Sequence, residues 1–218
     1  MAEEEEAREP PRVRDMPAPR RNESAIGPVM QRLFAWPFRV LLAGLYRAGV
    51  RPWQLTLASL GANVAAGALL LSGERFVPAV LLVVAGMFDV LDGSLARLRG
   101  EERRSGAFLD SVLDRVSDTV LFACLSWSLS GQGQRTAAAL ALVTLVVSLL
   151  VSHVRAEAEA AGVPMSEGLF QRLERYVVLI LGLAIPGALL PALALLAGLG
   201  GVTLGQRVWS AGRRLAAR

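Results

Sequence analysis

Four aspartates lie within 26 residues, on two apolar segments that the charged connection 99–104 separates. They form two pairs, the first spaced three residues apart and the second four, at Asp89 and Asp92, then at Asp110 and Asp114. Placing a single carboxylate in hydrocarbon costs about 2.5–3.5 kcal/mol on insertion scales. Four carboxylates at this spacing need a compensating partner, and we expect that partner to be a divalent metal ion that does chemistry at a membrane surface.

The ligand chemistry of the four acids narrows the choice of metal. Carboxylate oxygens are typical ligands of hard cations such as Mg²⁺, Mn²⁺ and Ca²⁺, whereas zinc favours histidine and cysteine, of which the chain has one each. Mg²⁺ commonly lies between a few carboxylates and the phosphates of a substrate. The sequence therefore predicts Mg²⁺, with Mn²⁺ as the alternative, and a pyrophosphate-bearing substrate would also use Arg97.

Helical geometry predicts that the two pairs face each other. At 100° per residue, Asp89 and Asp92 lie about 60° apart on one stripe, and Asp110 and Asp114 lie about 40° apart on another. Gly93 and Ala96 lie on the same helix face as Asp89 and Asp92, and their small size permits the close approach of a helix or a ligand. The short connection predicts that the two helices are antiparallel neighbours, so that their carboxylates converge near one membrane surface.

The overall composition is that of an integral membrane protein. Hydrophobic residues make up 53% of the 218 residues and charged residues 19%, and the mean hydropathy is +0.45. A soluble domain would have about 25% charged residues. The arginines gather at the ends of apolar runs, which favours membrane topology over nucleic-acid binding. The uncharged runs are 52–73, 76–88, 119–134, 136–154 and 176–206.

We predict an all-α, integral membrane bundle of six transmembrane helices. A helix crosses the bilayer with about 20 apolar residues, so the last uncharged run must be divided where its prolines break it. An N-terminal amphipathic helix over 26–48 would lie at the membrane interface. The predicted spans are 52–72, 76–98, 105–129, 135–160, 169–186 and 190–213.

The first 25 residues differ from the rest of the chain. Residues 3–6 are all glutamate, several prolines follow, and no apolar segment typical of a secretory signal peptide is present there. Such a composition predicts a disordered polar tail. The predicted organisation is therefore a tail over 1–25 and one membrane domain over 26–214.

The arginines also predict an orientation. The tail, the 99–104 connection, the 155–175 segment and the C-terminus together hold most of the positive charge, and the other connections hold little. The positive-inside rule then places both termini and the aspartates at the cytoplasmic face of a multi-pass cell-membrane protein.

The run from Asp89 to Asp114 resembles the signature of the CDP-alcohol phosphatidyltransferase family, with every fixed position filled. It reads Asp-x2-Asp-Gly-x2-Ala-Arg-x8-Gly-x3-Asp-x3-Asp. Eight defined residues over this length are far more specific than a short glycine motif. The predicted topology is also similar to that of the family, so the resemblance covers about residues 26–214.

This resemblance implies an enzyme that transfers a phosphatidyl group from CDP-diacylglycerol to an alcohol and releases CMP. It also implies a homodimer in contact with membrane lipids. Asp114 would be the catalytic base on the acceptor hydroxyl, in addition to contributing to the metal site. The implied metal ligands are Asp89, Asp92, Asp110 and Asp114, and the implied CDP-lipid contacts are Gly93, Ala96, Arg97 and Gly106.

The acceptor is indicated by a second resemblance. Residues 152–175 are similar to the corresponding region of bacterial phosphatidylinositol phosphate synthases, with departures at Glu157, Gln171 and Leu173, where that subfamily has arginine, glutamate and proline. The resemblance implies a phosphorylated polyol as acceptor, with inositol 1-phosphate favoured. The implied acceptor-phosphate ligands are Arg155, Arg172, Arg175 and Arg207.

Two alternatives stay open at this point. Glycerol 3-phosphate, the acceptor of phosphatidylglycerophosphate synthases, also needs a basic pocket, and arginines at the ends of spans are expected from topology alone. The alternative of another class is a non-enzymatic membrane carrier or ion pathway, since intramembrane acids often mark ion paths. Clustering of the acids at one end argues against a relay across the bilayer.

Overall fold

The computed structural model describes residues 13, 16, 27–165 and 172–216, and this part of the chain is all helical. The all-α prediction is therefore confirmed for these residues. Apart from residues 13 and 16, the predicted tail lies outside the described residues, as does the predicted start of the fifth span. The helices are α1 (Gly27–Arg47), α2 (Pro52–Leu71), α3 (Phe76–Arg99), α4 (Arg104–Gly131), α5 (Arg135–Ala160), α6 (Arg172–Ala184) and α7 (Leu189–Ala216).

Local sequence explains why the helices begin and end where they do. Pro52 occupies the first turn of α2, where its missing N–H costs nothing. The backbone N–H of Arg51 donates to Gln54 Oε1 at 2.8 Å and so satisfies a donor at that end. The α3 helix stops at Gly100, whose φ of 66° lies in the left-handed region that favours glycine.

Four of the helices are long and apolar enough to cross a membrane: α2, α3, α5 and α7. The six predicted spans are thus supported in part. The 28-residue α4 carries the charged side chains of Asp110, Asp114, Arg115 and Asp118 among its first 15 residues. The described part of α6 is 13 residues long, shorter than the roughly 20 residues of a full crossing.

Helix packing closes six of the helices into a ring. Going round it, α2 packs on α3, α3 on α6, α6 on α7, α7 on α5, α5 on α4 and α4 on α2, while α1 packs on α3. Within the described residues α3 and α4 make no close backbone contact. The prediction that these two helices are direct neighbours is therefore wrong, because α2 lies against both of them.

Small residues allow the ring to close tightly. A Cβ atom at Gly200 would lie 2.8 Å from Val147 Cγ1 on α5, and one at Gly182 would lie 2.5 Å from Ala192 Cβ on α7. Such close approaches are typical of helix interfaces within membranes. Leucines fill the interior between the helices, among them Leu82, Leu125 and Leu193.

The α1 helix forms a second, smaller core with α2 and α3. Its residues Phe38 and Leu42 pack with Leu95 of α3, and Met16, which is 2% exposed, belongs to the same cluster. Trp36 is 72% exposed on α1. The described part of this helix spans nearly the predicted range; its location at a membrane interface stays a prediction.

Candidate metal and substrate site

Three carboxylates meet between α3 and α4. Asp89 comes from α3, while Asp110 and Asp114 lie one turn apart on α4. One oxygen from each of the three lies within 4.8 Å of the others. The α2 helix, which packs on both α3 and α4, separates their backbones and leaves the space that these side chains fill.

The fourth predicted aspartate has a different partner. Asp92 is 7% exposed, and its Oδ2 atom accepts a 2.6 Å hydrogen bond from the Thr56 hydroxyl on α2. The negative charges of Asp89 and Asp110 still act on it. The structure thus brings three of the four predicted ligands together and places Asp92 beside them, bound to α2.

The three acids line one cleft. Its walls come from α2, α3 and α4, so that hydroxyl groups of α2 and α4 stand beside the carboxylates. The lining residues are Thr56, Ser59, Leu60, Asp89, Asp110, Leu113, Asp114 and Ser117.

The donor set of this cleft fits a hard divalent cation. Carboxylate oxygens close enough to share one ion, flanked by hydroxyl groups, are the ligands that Mg²⁺ and Mn²⁺ prefer. Without a cation, three converging negative charges would repel one another. The geometry of Asp89, Asp110 and Asp114 therefore supports a metal site of this class.

The predicted CDP-lipid contacts lie on α3 and α4, the two helices that carry the converging acids. Arg97 on α3 donates from Nη2 to Ser94 Oγ at 3.0 Å and lies 4.0 Å from Glu102. A Cβ atom at Gly93 would lie 3.7 Å from Arg97 Nη1, whereas one at Gly106 on α4 would meet nothing within 4 Å. The open space at Gly106 and the small Gly93 are compatible with a ligand's close approach.

Three of the four predicted acceptor arginines lie close enough to interact. Arg207 is 7% exposed and donates from Nη1 to the Val151 carbonyl oxygen at 3.0 Å. The positive charges of Arg155 and Arg175 both act on it, and Glu159 partly offsets them. Arg172 is the first residue of α6, and its side chain is outside what the structure describes.

The partners of these arginines differ in exposure and charge. Arg155 forms an exposed ion pair with Glu159, its Nε atom lying 2.8 Å from Oε1. Arg175 donates from Nη1 to Ser148 Oγ at 2.5 Å within the helix ring. The basic group therefore reaches from the surface to the interior of the bundle.

Sequence reasoning missed two hydroxyl residues that hold charged side chains of other helices, Thr56 and Ser148. A lone threonine or serine in an apolar helix usually bonds the carbonyl four residues earlier, as Thr144 does with Leu140. The Thr56 hydroxyl also lies 3.3 Å from the Pro52 carbonyl oxygen, but its shorter contact is with Asp92. Periodicity gives no signal that separates the two kinds of hydroxyl, because the distinguishing partner comes from another helix.

The chain is similar in sequence to two known synthases. Phosphatidylinositol phosphate synthase of Mycobacterium marinum is 37% identical over 188 residues, which cover 81% of this chain and 80% of that protein. Archaetidylinositol phosphate synthase of Methanothermobacter thermautotrophicus is 36% identical over 166 residues, covering 74% of this chain and 83% of that protein.

The fold is also similar to solved structures of one enzyme. The phosphatidylinositol phosphate synthase of Mycobacterium tuberculosis with CDP-DAG bound matches with a TM-score of 0.72 and 32% identity, over 78% of this chain and 91% of that one. The same enzyme in complex with manganese and citrate also matches with a TM-score of 0.72 and 32% identity, over 78% of this chain and 87% of that one.

The match to a whole family covers most of the helix ring. The family described as CDP-alcohol phosphatidyltransferase matches residues 50–208, which contain the three converging carboxylates and the interacting arginines. This range extends over far more than half of the chain. The chain belongs to the CDP-alcohol phosphatidyltransferase family.

Proposed function

We propose that this protein transfers the phosphatidyl group of CDP-diacylglycerol to inositol 1-phosphate, giving phosphatidylinositol phosphate and CMP. The observation that carries the proposal is the convergence of Asp89, Asp110 and Asp114 on one cleft in a chain of this family. Relatives named for the synthesis of inositol-phosphate lipids support the acceptor. Family membership favours an enzyme over a carrier or ion pathway.

A divalent ion, Mg²⁺ with Mn²⁺ as the alternative, would be held by the aspartates of the cleft. Asp89, Asp110 and Asp114 provide ligand atoms close together, and Asp92 beside them completes the proposed set. When bound, the ion would supply Lewis-acid neutralisation of the pyrophosphate charge. The M. tuberculosis synthase in complex with manganese supports this choice of metal class.

Asp114 is the proposed catalytic base. Its carboxylate lines the cleft together with Ser117, one turn of α4 from Asp110. It would take the proton of the acceptor hydroxyl while that oxygen forms a bond to the phosphorus of the phosphatidyl group. The bond from this phosphorus to the oxygen of CMP breaks, and CMP leaves with the electron pair. General base catalysis of this kind contributes about 10²- to 10⁴-fold.

The CDP-lipid is proposed to lie along the small-residue stripe of α3. Gly93 and Ala96 leave room beside the carboxylates, Gly106 leaves room on α4, and Arg97 supplies a positive charge for the pyrophosphate. The structure of the M. tuberculosis enzyme with CDP-DAG bound supports this substrate.

The acceptor phosphate is proposed to bind Arg155, Arg172, Arg175 and Arg207. The buried Arg207 guanidinium is under the influence of two further positive charges. Gathering like charges is unfavourable in a low dielectric, and a doubly charged phosphate would relieve it. Arginine also binds phosphate in a bidentate manner, which gives orientation as well as affinity.

The remaining proposals concern topology and assembly. We propose that α2 to α7 form six spans of a cell-membrane protein with both termini and the aspartate cleft in the cytoplasm, because the positive charge gathers on that side. We also propose that the protein is a homodimer, because it resembles this family. The membrane domain is proposed to cover residues 26–214, preceded by the predicted tail over 1–25, in which Met16 packs against α1 and α3.

Release of CMP by purified protein tests the proposed function. The protein is supplied with Mg²⁺ and CDP-diacylglycerol, and inositol 1-phosphate, inositol and glycerol 3-phosphate are compared as acceptors. We expect CMP release that needs the metal and is fastest with inositol 1-phosphate. Faster release with glycerol 3-phosphate would replace the proposed acceptor, and no release with any acceptor would overturn the enzyme assignment.

A further inference from the structure

A polar network lies inside the helix ring next to the candidate cleft. The Ser148 hydroxyl on α5 donates to Asp118 Oδ2 on α4 at 2.8 Å, and it accepts from Arg175 Nη1 on α6 at 2.5 Å. Ser148 is 4% exposed. One buried hydroxyl thus connects a carboxylate and a guanidinium that belong to two other helices.

The direction of the two hydrogen bonds is fixed by chemistry. A serine hydroxyl has one hydrogen to donate and lone pairs to accept with. An ionised carboxylate can only accept, so the single hydrogen of Ser148 is committed to Asp118. Its lone pairs are then oriented toward Arg175, and both bonds are strengthened because each involves a charged group.

The network borders a small pocket at the edge of the apolar core. Asp118, Ser148 and Arg175 line this pocket together with Thr144 and Tyr176, and core leucines close its other side. Asp118 follows the proposed base Asp114 by one helical turn on α4, a rise of about 6 Å. The guanidinium is therefore held beside a space that lies next to the catalytic cleft along the same helix.

We propose that Ser148, oriented by Asp118, is a positioning residue that fixes Arg175 for binding of the acceptor phosphate. The inference rests on the proposed function. Because the hydroxyl is neutral, it fixes the guanidinium without adding a negative charge that would compete with the phosphate. The carboxylate behind it lowers the cost of keeping the positive charge of Arg175 inside the bundle.

Ser148→Ala tests this role through the kinetics of the acceptor. Loss of a hydrogen bond to a charged group predicts a rise in the acceptor KM of about 10- to 100-fold. The KM for CDP-diacylglycerol stays within about twofold, and kcat changes less than the acceptor KM. Ser148→Thr keeps the hydroxyl, with the neighbouring pocket to take its methyl group, and restores the acceptor KM.

Ser126→Ala is the matched control. Ser126 is a buried serine that also links α4 to α5, but its hydroxyl donates to the Ala138 carbonyl oxygen at 3.0 Å. Ser126 has no charged partner in this contact, so we expect the acceptor KM of the Ser126→Ala variant to equal that of the wild type. Equal rises in both alanine variants would show a merely structural role and overturn the proposal.

The remaining outcomes separate this proposal from the proposed function. If the wild type releases CMP with a phosphorylated acceptor and Ser148→Ala leaves the acceptor KM unchanged, the positioning role fails alone. If Ser148→Ala does not fold, a raised acceptor KM in Ser148→Thr would count against the proposal and a wild-type value would support it. If neither inositol 1-phosphate nor glycerol 3-phosphate supports CMP release by the wild type, both proposals are overturned.

Discussion

The Thr56 hydroxyl donates a 2.6 Å hydrogen bond to Asp92 Oδ2 and so connects α2 to α3 at the edge of the carboxylate cleft. Asp89 and Asp92 lie within one turn of α3, yet their side chains contact different partners. Asp89 meets Asp110 and Asp114 of α4, while Asp92 is held by α2. Burial of a carboxylate without a partner is costly, so this bond stabilises the orientation of Asp92.

Thr56→Val is expected to impair the site while keeping the shape of the side chain. Removing a hydrogen bond to a buried charged group costs about 1.5–3 kcal/mol, and the misplaced carboxylate should weaken metal binding. We expect a fall in CMP release of about tenfold or more at limiting Mg²⁺, partly recovered at high Mg²⁺. Thr56→Ser should behave like the wild type.

Thr203→Val is the control for this prediction. Thr203 donates to the Leu199 carbonyl oxygen of its own helix at 2.9 Å and contacts no carboxylate through that bond. CMP release by this control variant should depend on Mg²⁺ concentration in the same way as CMP release by the wild type. An unchanged Mg²⁺ dependence in Thr56→Val would contradict a role for Thr56 in orienting Asp92.

Asp114→Asn is expected to abolish turnover while sparing the binding of the CDP-lipid. An amide cannot accept the proton of the acceptor hydroxyl, so CMP release should fall by about 10²- to 10⁴-fold. Binding of CDP-diacylglycerol, measured directly on the purified protein, should remain within a few-fold of the wild type. Equal loss of lipid binding and turnover would assign Asp114 to substrate binding instead of proton transfer.

Arg175→Ala is expected to raise the acceptor KM much more than it lowers kcat. The guanidinium is held at the pocket by Ser148 and would form charge-assisted hydrogen bonds to the acceptor phosphate. The expected rise is about 10-fold or more, with the KM for CDP-diacylglycerol little changed. Arg135→Ala, at the start of α5 and thus at the opposite end of that helix from Arg155, should leave both KM values unchanged.

The helix boundaries could be predicted because local chemistry marks them. Charged residues border the apolar runs, Pro52 suits the first turn of α2, and Arg135 begins α5 as expected. Convergence of Asp89 with Asp110 and Asp114 was predicted from helical spacing and a short connection, although α3 and α4 are not the direct neighbours that this prediction assumed. Each of these conclusions needs only residues that are near one another in sequence.

The order of the helices could not be predicted in the same way. The apolar composition of α2 predicts a membrane span, but not that α2 packs on both α3 and α4. For the same reason, the spacing of Asp89 and Asp92 could not show that Thr56 would bind one of them. Partners that come from distant parts of the chain leave no periodic signal in either segment.

The last prediction concerns the contact between α2 and α6. Tyr176 donates its hydroxyl to Asn63 Oδ1 at 2.7 Å, and its ring packs so close to α3 that a Cβ atom at Gly86 would lie 3.2 Å from Cε1. Tyr176→Phe removes the hydroxyl and keeps the ring. Interhelical hydrogen bonds in membranes contribute about 0.6 to 1.7 kcal/mol, so we expect a modest fall in the unfolding temperature in a fixed detergent.

A double-mutant cycle separates this bond from packing. Asn63→Leu also removes the bond, so the effect of both substitutions together should be smaller than the sum of the two single effects. Tyr46→Phe is the control, because the Arg99 guanidinium lies 5.2 Å from the centre of the Tyr46 ring and phenylalanine keeps that contact. Strict additivity in the cycle would show that Asn63 and Tyr176 stabilise the bundle independently. A coupling energy would instead assign the stabilisation to the bond that anchors α6, and with it Arg175, against α2.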